Sequence, residues 1–338
     1  MKKLILLFVM SVSAHAQVFQ GAFLRGINAP AVPPIPFTQI GSPVLLKGSS
    51  YLGLQADAFA TPRACWDGSQ WVGSFSLWNT ANFQWSTLFS TSPDLVTWTP
   101  VSLRNPSGSN YILGNGGIGC PTGLTYRYYF SYETYPNGAT SVSILVDGSN
   151  NLTSWTNITT LSASTYATDS KIVINPNTTN MEIWYINYNG GVTADTVEYQ
   201  SSSNGSAWTA QGIQYTIPNY FGFSPGEPAP AYSPIGGGNF LLTDETSSTV
   251  NSGARFTQIL GSATAAANTW NQLGIAQQAA TVTIPGTIAE ECFDSFIVWA
   301  NTTHTGPGNI PYMLTACGDN LSGINDTDSD IILSEGTL

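Results

Sequence analysis

Charge is scarce in this chain. Of its 338 residues only 9% are charged, with 9 Lys and Arg, 20 Asp and Glu and 2 His. The balance of −11 repels a phosphate backbone, which argues against nucleic acid as a partner and disfavours a polyanionic polysaccharide outside a local basic pocket. Helix-period runs of Ala, Leu, Glu and Lys are missing. After the first sixteen residues no stretch is apolar enough to cross a bilayer. Cysteine is limited to Cys65, Cys120, Cys292 and Cys317, without the close C-x-x-C spacing of a zinc site.

The chain begins with Lys2 and Lys3, the apolar run Leu4 to Met10, and Ala14-His15-Ala16. A charged start, an apolar core and an A-x-A site read as a secretory signal peptide over residues 1–16, with cleavage before Gln17. The alternative is a short buried helix. Export removes two cations and leaves seven against twenty acids, about −13. The expectation is a secreted product, extracellular or periplasmic, with no membrane contact after cleavage. In such a compartment four cysteines permit two disulfides in three pairings. Free buried thiols are the alternative, since a core of this size does not need staples.

Ser, Thr, Asn, Gly and aromatics are abundant, as in secreted all-β proteins, and one stretch recurs. Leu88 to Trp98 reads LFSTSPDLVTW. It returns as SNNLTSW ending at Trp155, SSNGSAW ending at Trp208, ATAAANTW ending at Trp270, and CGDNLSG ending at Gly323. These anchors are 57, 53, 62 and 53 residues apart. Each unit has a segment of mixed polarity, a turn, an aromatic strand, a second strand, and then the polar turn. The aromatic strands are expected at 71–78, 126–132, 182–188, 239–243 and 296–300, the last followed by a strand over 310–316. Four short strands in each of five units predict an all-β, five-bladed β-propeller with four-stranded blades. The domain is expected to span 51–338, after a proline-rich lead-in over 17–50 with a strand at Pro43 to Lys47. The closing strand comes from Asp326 to Leu338 or from the lead-in. The repeated tryptophans read as wedges between blades. Cys65, Cys120 and Cys292 lie six, six and seven residues before Trp71, Tyr126 and Trp299 of the aromatic strands, which places them on innermost strands. A bridge from Cys65 to Cys120 or to Cys292 fits that placement.

In a propeller the innermost strands start near one mouth of the central channel, so a shared phase points at one place. Asp57, Asp169 and Glu227 lie 41, 39 and 43 residues before Trp98, Trp208 and Trp270. They also lie 14, 14 and 13 residues before Trp71, Ile183 and Phe240. Gly114-Asn115 takes that phase in the second repeat, and Glu290 and Glu291 fall later in the fifth. Converging carboxylates repel, which raises one pKa and leaves a proton donor beside an ionised base. Glycosidic bond cleavage needs that division of labour. The bland alternative is that the acids bond local turn amides. Arg63 and Arg255 are candidates to meet a site carboxylate or a sugar hydroxyl, or else to form plain interblade ion pairs. Trp66 reads as core, whereas Phe221 and Phe223, in a Gly/Pro-rich loop before Glu227, read as sugar-stacking residues.

Ala56-Asp57 and the aromatic strand after it, LFSTSPDLVTW, Thr168-Asp169, Gly226-Glu227-Pro228 and ARFTQILGSATAAANTW occur in an order and spacing similar to the five-bladed glycoside hydrolases. The nearest group is the family 43 arabinanases, arabinofuranosidases and xylosidases. The resemblance covers roughly 50 to 325. It implies a base at Asp57, a proton donor at Glu227, an Asp169 that tunes and orients the donor, and inversion at the anomeric carbon. It implies a carbohydrate partner, a monomer and no required cofactor; a structural calcium or a water in the channel is compatible with it. The chain departs from the pattern in three places. Ala58 follows Asp57 where the family has Pro, a Gly precedes Glu227 where one commonly follows, and no His stands at the central phase of the last blade. A non-catalytic carbohydrate-binding propeller and a surface or adhesion platform are the competing functions, because a fold does not fix a function.

Overall fold

The computed structural model describes residues 36–336 apart from 83, 106–114, 135–141, 162–166, 188–194, 217–222, 235–238, 248–254, 276–281, 290 and 320–328. The expected signal segment over 1–16 lies outside the described residues. Among those residues every regular element is a strand. The chain opens with β1 (Phe37–Gln39) and a small hairpin, β2 (Ser50–Tyr51) and β3 (Leu54–Gln55). Blade 1 is β4 (Ala58–Trp66), β5 (Trp71–Asn79), β6 (Gln84–Ser92) and β7 (Thr99–Arg104). Blade 2 is β8 (Gly117–Gly119), β9 (Tyr128–Thr134), β10 (Ser143–Ser149) and β11 (Thr156–Thr160). Blade 3 is β12 (Ala167–Ile174), β13 (Met181–Asn187), β14 (Thr196–Ser202) and β15 (Thr209–Thr216). Blade 4 is β16 (Phe223–Tyr232), β17 (Asn239–Ser247), β18 (Arg255–Ser262) and β19 (Asn271–Ile275). A hairpin of β20 (Thr283–Ile284) and β21 (Thr287–Ile288) leads to blade 5, made of β22 (Glu291–Ala300), β23 (Ile310–Gly318) and β24 (Ser329–Gly336).

Blade 5 takes its outermost strand from the other end of the chain. β1 pairs antiparallel with β24, Phe37 opposite Gly336 and Gln39 opposite Ser334. The lead-in and the C-terminal segment therefore both serve the closure, and the edge of β24 is covered. The lead-in strand lies at 37–39; at Pro43 to Lys47 the structure has only a bridge, Leu45 to Ile331. A single parallel pair, Phe256 with Cys292, links blades 4 and 5.

The recurring polar stretch is the turn from third to fourth strand in blades 1 to 4. Trp98, Trp155, Trp208 and Trp270 each stand directly before β7, β11, β15 and β19. The first polar side chain catches the backbone as it reverses. Ser149 Oγ accepts from Leu152 N at 3.0 Å, Ser202 Oγ from Gly205 N at 2.9 Å, and Ser262 Oγ from Ala265 N at 3.0 Å. Two residues after the serine, Asp94 Oδ1 takes Val96 N at 3.0 Å and Thr97 N at 2.7 Å, and Asn151 and Asn204 do the same. The fourth position needs a left-handed backbone: Leu95, Leu152, Gly205 and Ala265 have φ of 60°, 65°, 77° and 54°. The tryptophans then pack between sheets as expected. Trp155 lies 4.7 Å from Phe89 of blade 1, and Trp270 meets Trp184 of blade 3 edge-on at 6.2 Å.

The fifth repeat differs from its sequence reading. Phe296–Ala300 belongs to the innermost strand β22, and Ile310–Gly318 is the second strand. CGDNLSG begins with the last two residues of β23 and lies between that strand and β24, the second and third of the blade. Gly323 lies outside the described residues. The cause is that blade 5 gets its fourth strand from β1 and needs no third-to-fourth turn. Cys65 bridges to Cys120, tying the inner region of blade 1 to blade 2, and Cys292 bridges to Cys317 within blade 5.

Asp94 gives a pH-dependent test of the turn. Burial pushes its carboxyl up, but the amides of Thr97 and Val96 outweigh that and hold it below the usual aspartate range. A lowered folded-state pKa adds stability that is present above the unfolded value near 4 and is lost as pH falls through the folded value. Asp94→Ala is expected to lower the unfolding free energy by about 1 kcal/mol at neutral pH. Urea titrations should show that difference shrinking below pH of about 4, while Asp94→Asn, which copies Asn151 and Asn204, should cost less at neutral pH.

Candidate active site at the channel mouth

The five innermost strands surround one axis. β4 touches β8, β8 touches β12, β12 touches β16, β16 touches β22, and β22 returns to β4. Packing this close leaves little room for side chains. A Cβ on Gly119 would lie 2.3 Å from Ile172 Cγ2, so β8 can approach β12 only with glycine there.

Four inner strands carry the same β-bulge. Between Ala60 and Arg63, Thr168 and Lys171, Gly226 and Ala229, and Phe293 and Phe296, the inner strand has one residue more than its partner. A bulge of this kind re-aims a side chain and bends its strand. The bulged pairs are Thr61-Pro62, Asp169-Ser170, Glu227-Pro228 and Asp294-Ser295. Blade 2 has Asn115-Gly116 at the same height, two residues before Gly117, which pairs with Ser131 of β9. Thr61, Asn115, Asp169 and Asp294 have φ of 45°, 56°, 59° and 54°. Four non-glycine residues at positive φ on one ring mark a place where the surroundings force the backbone.

Ring neighbours bond to each other. Asn115 Nδ2 donates to Asp169 Oδ1 at 2.8 Å, and Thr61 N donates to Asp294 Oδ2 at 3.1 Å. Glu133 on β9, fully buried, takes the Asp169 amide and Thr168 Oγ1, the latter at 2.6 Å. Two residues further along each strand stand two fully buried cations. Lys171 Nζ donates to Asn115 O at 3.2 Å. Arg63 Nη1 donates to Pro62 O at 2.5 Å and Asp294 O at 3.4 Å, with its guanidinium 5.2 Å from the Phe296 ring. Buried carboxylates and buried cations thus share one small volume, where each is tolerable because the other is present. Among the described residues no three His, Cys, Asp or Glu side chains are grouped to hold a metal.

The structure brings the backbones of Asp169 and Glu227 to equivalent bulges on adjacent blades. It does not bring Asp57 to that height. Asp57 lies four residues before Thr61, about 13 Å along an extended strand. Its Oδ2 accepts Thr80 N at 2.6 Å and its Oδ1 accepts Gln55 Nε2 at 3.1 Å, so it caps the β5–β6 turn. Arg63 is a channel residue. Arg255 and Phe223 start β18 and β16, and nothing further is described of their side chains or of that of Glu227. Phe221 lies outside the described residues. Trp66 is half-buried and meets Trp71 edge-on at 5.4 Å.

Two ring members went unread in sequence. The turn after the inner strand runs over 67–70 in blade 1, 175–180 in blade 3 and 301–309 in blade 5, so equal distances to the aromatic strand mean different heights. Two signals were available. Thr61-Pro62 and Glu227-Pro228 share the proline, and D-S-x-I-V occurs at Asp169–Val173 and again at Asp294–Val298.

No protein-family model and no curated protein matches the sequence. Solved structures do match the fold. The catalytic domain of the Coprinopsis cinerea GH62 α-L-arabinofuranosidase superposes with a TM-score of 0.62 at 13% identity, covering 90% of this chain and 98% of that one. An endo-arabinase from Bacteroides thetaiotaomicron gives 0.58 at 14% identity over 89% and 98%. An N-acetylgalactosamine deacetylase from F. plautii, in complex with blood group B trisaccharide, gives 0.59 at 11% over 89% and 95%. The protein is thus a five-bladed β-propeller of the architecture that the arabinan-cleaving glycoside hydrolases adopt. At these identities the likeness is one of fold, and the deacetylase carries a different chemistry on it.

The buried cations have a measurable consequence. Lys171→Met keeps the volume but removes the buried ammonium that donates to Asn115 O. The expected loss is about 3 kcal/mol of unfolding free energy, read by chemical denaturation against wild type.

Proposed function

We propose that the protein is a secreted, monomeric glycoside hydrolase that cleaves a neutral polysaccharide or its oligomers with inversion. The observation that carries this reading is the shared bulge, which puts Asp169 and Glu227 on adjacent inner strands at one height of the channel. Solved neighbours named as arabinofuranosidases and an endo-arabinase lend it support and point to pentose-containing polymers as the first substrates to try. Glu227 is the proton donor to the leaving oxygen. Asp169, at the equivalent bulge of the adjacent inner strand and held by Asn115 and Thr168, keeps the donor protonated through like-charge repulsion. The chemistry requires no cofactor.

A second reading, a carbohydrate-binding propeller without catalysis, has one observation in its favour. The bulge of blade 1 carries Thr61 and no carboxylate. A panel of aryl glycosides and neutral polysaccharides separates the two, because binding without release of reducing ends supports the second.

Proton donation at a leaving oxygen contributes roughly 10² to 10⁴ in rate. Glu227→Gln is expected to lose a factor of that order on the natural polymer and much less on activated aryl glycosides. Unchanged turnover of the polymer would remove Glu227 from the mechanism. Asp169→Asn should move the basic limb of the pH profile to lower pH, because the donor then loses its proton more easily.

A further inference from the structure

We propose that Asp294 is the carboxylate that activates the attacking water, in the place that Thr61 leaves without one; the proposal rests on the hydrolase reading above. Asp294 sits on β22 at the bulge that Asp169 occupies on β12 and Glu227 on β16, with the same one-residue excess against its partner strand. Its backbone φ of 54° matches the 59° of Asp169. The local sequence is the same too, Asp-Ser-x-Ile-Val in both strands. β22 packs between β16 and β4, so Asp294 stands between the strand of Glu227 and the strand of Thr61.

Its carboxylate leans toward blade 1. Oδ2 takes the Thr61 amide at 3.1 Å, which directs the group to the corner where blade 1 offers only a hydroxyl. That hydroxyl is engaged with Ser76 Oγ at 2.5 Å. The acid that directly precedes β4, Asp57, is bonded to the Thr80 amide and Gln55 at the rim. Asp294 is also held firmly: Arg63 Nη1 bonds its carbonyl, and the adjacent Ser295 Oγ bonds Thr257 and Thr315 Oγ1, both at 2.9 Å. A base needs such fixed support to stay aimed at its water.

The step balances. A water oxygen bonds to the anomeric carbon and gives one proton to Asp294. The glycosidic C–O bond breaks, and the leaving oxygen takes the proton of Glu227. The product sugar has the inverted configuration, and the two carboxyl groups end with one proton between them, as at the start.

Asp294→Asn tests this cleanly, because the amide oxygen can still accept from Thr61 N. The expected result is a folded protein, melting within a few degrees of wild type, with kcat/KM lowered roughly 10²- to 10⁴-fold. The loss should be alike on polymer and aryl glycosides, since both need the water, and the acidic limb of the pH profile should vanish. In Asp294→Ala, added azide should restore turnover on activated substrates as the glycosyl azide of inverted configuration. Asp57→Asn should lose less than Asp294→Asn. The assignment to Asp294 is overturned by activity of Asp294→Asn within tenfold of wild type, by a larger loss in Asp57→Asn, or by an inactive Asp294→Ala that azide does not rescue. A wild-type protein that hydrolyses nothing sinks the hydrolase reading and this inference with it. Active wild type with an indifferent Glu227→Gln and a dead, azide-rescued Asp294 pair removes the donor and upholds the base.

Discussion

Five innermost strands have to share one axis, and most of what is distinctive here follows from that crowding. Where the strands converge, the backbone bends at a common height, and one extra residue in each of four ladders does the bending. β8 manages the approach differently, with glycines at 116, 117 and 119 in place of a paired bulge. Next to β12 a methyl group at Gly119 would collide with Ile172. The price of the arrangement is left-handed backbone at four non-glycine residues, which costs of the order of 1–3 kcal/mol each and persists only where the surroundings over-determine it. Those surroundings are the buried ions. Glu133 accepts the Asp169 amide, Asp294 accepts the Thr61 amide, and Lys171 and Arg63 take the carbonyls of Asn115 and Pro62. The polar ring thus satisfies backbone groups that the bulges expose, and it gathers carboxylates at one height of the channel.

The outer parts of the blades solve an easier problem. Each turn from third to fourth strand is a local device in which a serine or its equivalent catches amides ahead of it, and Trp155 and Trp270 drop from theirs onto the neighbouring sheet. Among the described residues the joint of blades 1 and 2 carries two ion pairs and a disulfide. There Arg104 meets Asp147 at 2.7 Å, Arg127 meets Asp67 at 2.9 Å, and Cys65 is bonded to Cys120. Closure at blade 5 relies on β1 pairing with β24 and on the apolar core that Phe37 joins.

These two kinds of organisation explain what was legible in the sequence. The turns repeat because their geometry is local, so their spacing exposed five units and the placement of Trp98, Trp155, Trp208 and Trp270. The height of a residue in the channel is not local. A count from the aromatic strand reaches it only through the hairpin that follows the inner strand, and the length of that hairpin varies from blade to blade. Asp169 and Glu227 came out at one height because β12 and β16 are followed by turns of similar length. Asp57 was aligned with them through the same count, but the hairpin of blade 1 is shorter, and the true counterpart is Thr61. The fifth repeat was displaced by one strand because its outer strand comes from residues 37–39, which no forward count along the chain can foresee.

The ring also shows how this architecture carries unlike chemistries. Its five members are Thr61, Asn115, Asp169, Glu227 and Asp294: a hydroxyl, an amide and three carboxylates, four of the five on equivalent bulges. The scaffold fixes where a side chain at each bulge starts and leaves its identity open. The residues that fix the scaffold lie elsewhere, in the glycines of β8, the cations two positions along, and Glu133 on a second strand. A carboxylate can therefore move from one blade to its neighbour without disturbing the bulges, provided the amide it leaves behind still finds an acceptor. Thr61 is in that situation: its amide is bonded by Asp294 of the next blade. Blade 1, with a hydroxyl at its bulge, and blade 5, with a carboxylate, are adjacent and hydrogen-bonded there, so the carboxylate of one blade satisfies the backbone of the next.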